Sequence, residues 1–117
     1  MKQNAWLALR QFSQQSIAES ELGRLDEISL RLLEWVLNES RTSSEPLFMQ
    51  ALVMRANVAS PATVYKSVAK LIDIRMIDVI VDTTDTRRRI VRPTTGALKL
   101  IDKLAKSTEH WIKTRDT

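Results

Sequence analysis

A chain of 117 residues, 44% apolar and 27% charged, is sized and composed for one soluble globular domain and not for two, and it is not a disordered chain. With no cysteine it has no disulfide framework, no thiol redox sensor and no thiolate metal site. The formal net charge of +4 is unevenly spread: residues 1–40 hold four basic and six acidic side chains, residues 41–117 fourteen and eight. The basic excess falls in the second half, as expected if that half faces phosphate.

No apolar run is long enough to span a membrane, and the start MKQNAWLALRQFSQQ lacks the apolar block and cleavage site of a signal peptide. A cytoplasmic, nucleoid-associated protein with no membrane partner is the expectation. Two glycines and three prolines leave few backbone breaks, so long helices should dominate. Asn4 to about Glu21 reads as a first helix, with Trp6, Leu9, Phe12 and Ile17 mostly on one side and Gly23 at the place of a C-terminal cap. Asp26 offers an N-cap for a second helix reaching about Asn38. Its Ile28, Leu32, Trp35 and Val36 form one apolar stripe and Leu30, Leu33 and Leu37 another, the pattern of a central helix.

The polar stretch NESRTSS, residues 38–44, predicts a linker contributing a very short strand beside the wing read further along the chain. Pro46 then marks the first turn of a third helix through LFMQALVMRA, with Leu47, Ala51 and Met54, or else Phe48 and Leu52, turned inward. Asn57, a residue that tolerates left-handed backbone, ends it, and Val58 plugs the joint. Ser60 can cap the next helix and Pro61 suits its first position. Val64, Val68 and Leu71 follow at i, i+4 and i+7, which turns Ala62, Thr63, Lys66 and Lys70 outward. Two short helices about an Asn-centred turn make a helix-turn-helix. Met76–Val81 is a β-branched run, Asp82 to Thr86 a polar turn, Arg87-Arg88-Arg89 a cationic tip and Ile90-Val91-Arg92 a return strand. Thr94-Thr95-Gly96 breaks that strand. A last helix follows from about Ala97 to Lys113, with Leu98, Ile101, Leu104 or Ala105, Thr108 and Ile112 at helical spacing.

The expected fold class is therefore mainly α with a small β-hairpin. It is one winged helix-turn-helix domain over 1–117, with the helix-turn-helix and wing in 41–93 and dimerisation helices expected in 1–24 and 97–117. An α-helix fits the major groove, and residues in the first turns after the cap reach base edges, here Thr63 and Tyr65, with Lys66 beside them. Ser60 and the helix N-terminus suit a phosphate. Arg87, Arg88 and Arg89 at a hairpin tip suit a narrow minor groove, although alternation along the strand keeps all three from reaching one groove. Asp85 is placed to hold Arg87 through a paired hydrogen-bond geometry.

The helix SPATVYKSVAKL, the wing DTTDTRRRIV with its Asp-x-Arg element, and the Thr94-Thr95-Gly96 start of the closing helix resemble the MarR family of winged-helix regulators over about residues 25–113. The resemblance implies a homodimer joined by N- and C-terminal helices, a palindromic double-stranded DNA site and, often, a small-molecule effector. By position, it puts Pro61, Ala62, Thr63, Tyr65, Lys66 and Lys70 at the major groove and makes Arg87 the wing arginine steadied by Asp85. Where the family has a glycine between recognition helix and strand, this chain has Arg75, which predicts a different or strained turn. The closing-helix motif is one residue short before Gly96.

Trp6, Trp35 and Trp111, with Leu9, Phe12, Leu104 and Ile112, are candidates for the dimer seam, since large apolar stripes need cover. Completion of a monomer core is the bland alternative. An enzyme is not expected, nor a cofactor. The one histidine, His110, has no nucleophile or carboxylate constellation, and Asp82 and Asp85 lie in an exposed turn among arginines, where their pKa should not rise. The function expected is a sequence-specific DNA-binding transcriptional regulator, a homodimeric repressor. The alternatives are a winged-helix protein–protein adaptor, or a plasmid or phage replication or partition factor.

Overall fold

Asp26 accepts a hydrogen bond from the Ser29 amide at 2.8 Å and from its hydroxyl at 3.1 Å, and so starts the helix on which the rest of the molecule is built. The computed structural model describes residues 2–115. In chain order they form α1 (Lys2–Ala18), a 3-10 turn (Glu21–Arg24), α2 (Glu27–Thr42), β1 (Leu47–Phe48), α3 (Met49–Arg55), α4 (Pro61–Asp73), β2 (Ile77–Val81), β3 (Arg89–Pro93) and α5 (Thr95–Thr114). The three strands make one antiparallel sheet in the order β1-β3-β2, with Leu47 opposite Val91 and Val79 opposite Val91 on its other side.

The core sits where α2 meets α4 and β3. Leu32, Leu33 and Val36 of α2 join Leu52, Val64, Val68, Leu71, Ile77, Val91 and Ala97 in one buried cluster. The i, i+4, i+7 spacing read in the fourth helix is thus its buried face, and α2 carries apolar side chains on two sides because it is central. Ser60 and Thr94 cap α4 and α5, accepting from the amides of Thr63 and Ala97.

Four expectations need correction. Residues 38–42 continue α2, where Glu39 pairs with Arg55 of α3 at 3.0 Å, and the short strand is Leu47–Phe48. Pro46 therefore precedes a strand and not a helix, because pairing of Leu47 and Phe48 with Val91 and Ile90 holds that backbone extended. Met54 is 74% exposed, so of the two inward faces proposed for the third helix the one containing Leu52 is buried. Gly23 does not cap α1, which ends at Ala18. It lies in the 3-10 turn with negative φ, and an added Cβ would stand 2.6 Å from the Ala18 carbonyl oxygen. Close approach, not left-handed backbone, is what glycine supplies there.

The turn at Arg75 resolves plainly. Arg75 takes φ 63°, left-handed backbone, its amide donating to the Ile72 carbonyl at 2.9 Å while the Met76 amide donates to Leu71 at 2.9 Å. This is the paired closure that usually ends on glycine. The Thr94 hydroxyl donates to the Arg75 carbonyl at 2.7 Å, so the start of α5 braces the end of α4.

Candidate nucleic-acid interface

The outer face of α4 is open. Pro61, Ala62, Tyr65, Lys66, Ala69 and Lys70 are exposed, while Val64, Ser67, Val68 and Leu71 face the core. Thr63 is half-buried, and Ser60 both caps its amide and donates to its hydroxyl at 3.1 Å. Asn57, at φ 50°, makes the turn between α3 and α4.

The wing is a braced loop. The Arg88 amide donates to the Asp85 carbonyl at 3.0 Å, and the Asp82 amide to the Arg88 carbonyl at 3.1 Å. Asp85 accepts from the Arg87 amide at 3.1 Å and takes the guanidinium through Nε at 3.1 Å and Nη2 at 3.4 Å, the two-point pairing anticipated from sequence. That pairing leaves the Arg87 side chain 89% exposed, held outward. Arg88 turns the other way. It lies 4.3 Å over the Phe48 ring and bonds Asp82 at 2.9 Å. Arg89 donates to the Thr86 carbonyl at 3.1 Å. The three arginines thus take different partners, and it is these partners, not strand alternation, that separate them, since only Arg89 lies in β3; Arg88 Nε also comes within 3.8 Å of Asp85.

Asp82 is buried, not in an exposed turn as read from sequence, because Thr84 and Arg88 close over it. Its pKa is nevertheless lowered, chiefly by the Thr84 amide and against the pull of burial, with the Thr84 hydroxyl and Arg88 adding to it. Asp85 is lowered as well, first by the Arg87 side chain and then by its amide. Both carboxylates are therefore in their ionised, hydrogen-bond-accepting form at neutral pH.

Helix and wing open onto one space. A cleft of about 730 Å³ is lined by Tyr65 of α4, by Arg87, Arg88 and Arg89, and by Phe48, Gln50 and Met54 from β1 and α3. The sequence reading missed the last three. Gln50 and Met54 lay in a helix whose outward face was not assigned, and nothing local links Phe48 to a wing forty residues later. Lys70 stands apart from the cleft: its ammonium is 2.7 Å from Asp26 at the start of α2, so the ion pair ties α4 to α2.

The seam candidates divide. Phe12 of α1 stacks on Trp111 of α5 within the chain, ring centroids 4.8 Å apart, and Arg115 lies 4.9 Å over Trp111. Leu104 packs against the core, and Trp35 does so beneath the Arg55 guanidinium at 5.5 Å. Leu9 is half-buried. Trp6 and Ile112 are exposed, as is Leu7, which the sequence reading did not single out. An apolar groove of about 480 Å³ runs between α1, α2 and α5, with Ile17, Leu33, Leu37 and Leu104 in its walls. Among the described residues no helix is long and apolar enough to cross a membrane, and no acidic, His or Cys cluster is arranged to hold a metal ion.

No protein-family model and no curated protein matches this sequence. Solved structures do resemble it. The S. aureus MepR–DNA complex superposes with a TM-score of 0.72 at 18% identity, over 97% of this chain and 86% of that one. S. aureus MepR bound to ethidium bromide gives 0.72 at 17%, over 96% and 75%. MarR gives 0.60 at 19%, over 97% and 81%. In its helices, its three-stranded sheet and their order, this chain has the winged helix-turn-helix fold of the MarR-type regulators.

Proposed function

We propose that this protein is a non-enzymatic transcriptional regulator that binds duplex DNA as a homodimer on a palindromic site and represses by occlusion. The observation carrying the proposal is the single open cleft shared by Tyr65 of the capped, solvent-facing α4 and the arginine-tipped wing. A helix in the major groove beside an arginine in the adjacent minor groove needs that juxtaposition. The fold shared with MepR, solved in complex with DNA, supports the same reading. Lys66 and the wing supply charge. Tyr65 and Thr63 stand at the base edges, and Ser60 holds the helix start at which a phosphate would bind.

The test is a fluorescence-anisotropy titration with duplex recovered from a random-sequence selection at physiological salt. Arg87→Ala should weaken binding about tenfold or more and lower the salt slope by about one, with the circular dichroism spectrum unchanged. Equal affinities for wild type and variant would remove the wing from the interface. The exposed Met54 and Tyr65 favour a second reading, a protein-binding adaptor using the same cleft. Its signature is an affinity that barely changes between low and moderate salt, whereas neutralising several phosphates makes binding fall steeply.

A further inference from the structure

We infer that the major-groove surface of this protein reads thymine methyl groups, not the hydrogen-bonding edges of guanine or adenine. The inference rests on the DNA-binding reading above and specifies its ligand. It follows from what α4 presents and from what it lacks. From Pro61 to Lys70 the helix contains no Arg, Asn, Gln, Asp or Glu, and of the side chains that hydrogen-bond base edges it keeps only Thr63, Ser67, Tyr65 and the two lysines. The polar groups it does contain are mostly engaged. Ser67 is buried, the Thr63 hydroxyl is held by Ser60, and Lys70 is drawn 2.7 Å from Asp26.

What remains outward is the Pro61 ring, the Ala62 methyl, the Tyr65 ring with its hydroxyl, the Ala69 methyl and the ammonium of Lys66. Beside them Met54 of α3 stands 74% exposed in the cleft, next to Tyr65. The amide that the cleft offers, Gln50, belongs to α3 and not to the helix that enters the groove. Small apolar groups distinguish bases in the major groove through one feature only, the thymine C5 methyl. The wing points to the same composition. A guanidinium held outward on Asp85 is suited to a narrow minor groove, and A·T tracts make the groove narrow.

The test separates methyl recognition from everything else. Duplexes selected from random sequence at physiological salt are sequenced, and the recovered site is resynthesised with deoxyuridine for thymidine, one position per half-site at a time. Uracil keeps the pairing, charge and hydrogen-bonding groups and lacks only the methyl. The expected site carries thymines where its major groove faces α4, and each critical methyl removed should weaken binding about three- to fivefold, the size of one buried carbon. Replacing cytosine by 5-methylcytosine in a site where G·C has been substituted should restore part of the loss. Ala62→Gly should reduce the penalty of the neighbouring uracil, and this comparison is made within the variant so that any change in helix stability cancels. Uracil substitution without effect throughout, or a site read at guanines, would overturn methyl recognition while leaving DNA binding intact. Failure to select any sequence, together with salt-insensitive or absent duplex binding, would overturn the DNA-binding reading and this inference with it.

Discussion

Arg88 shows how three adjacent residues of one type acquire different tasks. Arg87 is held outward by Asp85, whereas Arg88 lies over Phe48 and reaches the buried Asp82. A guanidinium over an aromatic face and against a carboxylate is held by both the ring quadrupole and a charge-assisted bond. Arg88 thus holds the wing that carries Arg87, and under the DNA-binding function proposed above its effect on DNA would come through that positioning. A double-mutant cycle checks this. Arg88→Gln and Arg87→Ala should each weaken DNA binding, but the double variant should be no weaker than Arg87→Ala alone by more than about 0.5 kcal/mol. Additive losses would mean that Arg88 meets the duplex independently. Phe48→Leu should reproduce part of the Arg88→Gln effect, since it removes the ring and keeps the strand apolar. The Asp85–Arg87 pair was legible in sequence because its partners are two residues apart. The Phe48–Arg88 contact was not, because only the β1–β3 pairing brings them together.

At the scale of elements, the starts of α2 and α4 were readable, whereas the start of α3 and the place of the short strand were not. Asp26 and Ser60 cap through their own side chains, a local chemistry written in consecutive residues. The two-residue β1 has no periodicity to reveal it. It exists because β3 offers an edge to pair with. Between elements, the Asp26–Lys70 ion pair bridges the start of α2 and the last turn of α4. The Lys70 hydrogen bond, followed by the Ser29 amide, lowers the Asp26 pKa from 3.8 to about 2. A carboxylate depressed in the folded state stabilises the fold fully above its unfolded value, and that contribution disappears as pH falls through the folded one. Thermal unfolding of wild type and Asp26→Asn from pH 7 to pH 2 should therefore show a constant gap down to about pH 4, closing between there and about pH 2. Asparagine also caps helices, so the gap reports mainly the ion pair. A gap that persists unchanged at pH 2 would show that the Asp26 charge is not its source.

The whole molecule is longer than one core explains. Its radius of gyration is 16.1 Å and its extents are 55 × 26 × 24 Å, against about 13 Å for a compact chain of this length. The excess comes from α1 and α5, which lie against each other through Phe12 and Trp111 and leave Trp6, Leu7 and Ile112 uncovered. Apolar side chains of that size near both chain ends match the self-complementary patch that a two-fold dimer requires. The internal Phe12–Trp111 stack gives the patch a fixed backing, so in the proposed dimer Trp6, Leu7 and Ile112, with Leu98 and Ile101 further along α5, are the apolar side chains open to a second copy. Sedimentation velocity at micromolar concentration should find the wild type dimeric and Trp6→Glu with Ile112→Glu monomeric, because each charge would have to be buried twice across a symmetric interface. The same double variant should bind a palindromic duplex about 100-fold more weakly, since the second half-site would no longer be engaged at high effective concentration, while its affinity for a single half-site stays that of the wild type. A wild type that sediments as a monomer, or a double variant that still dimerises, would move the subunit contact away from the terminal helices.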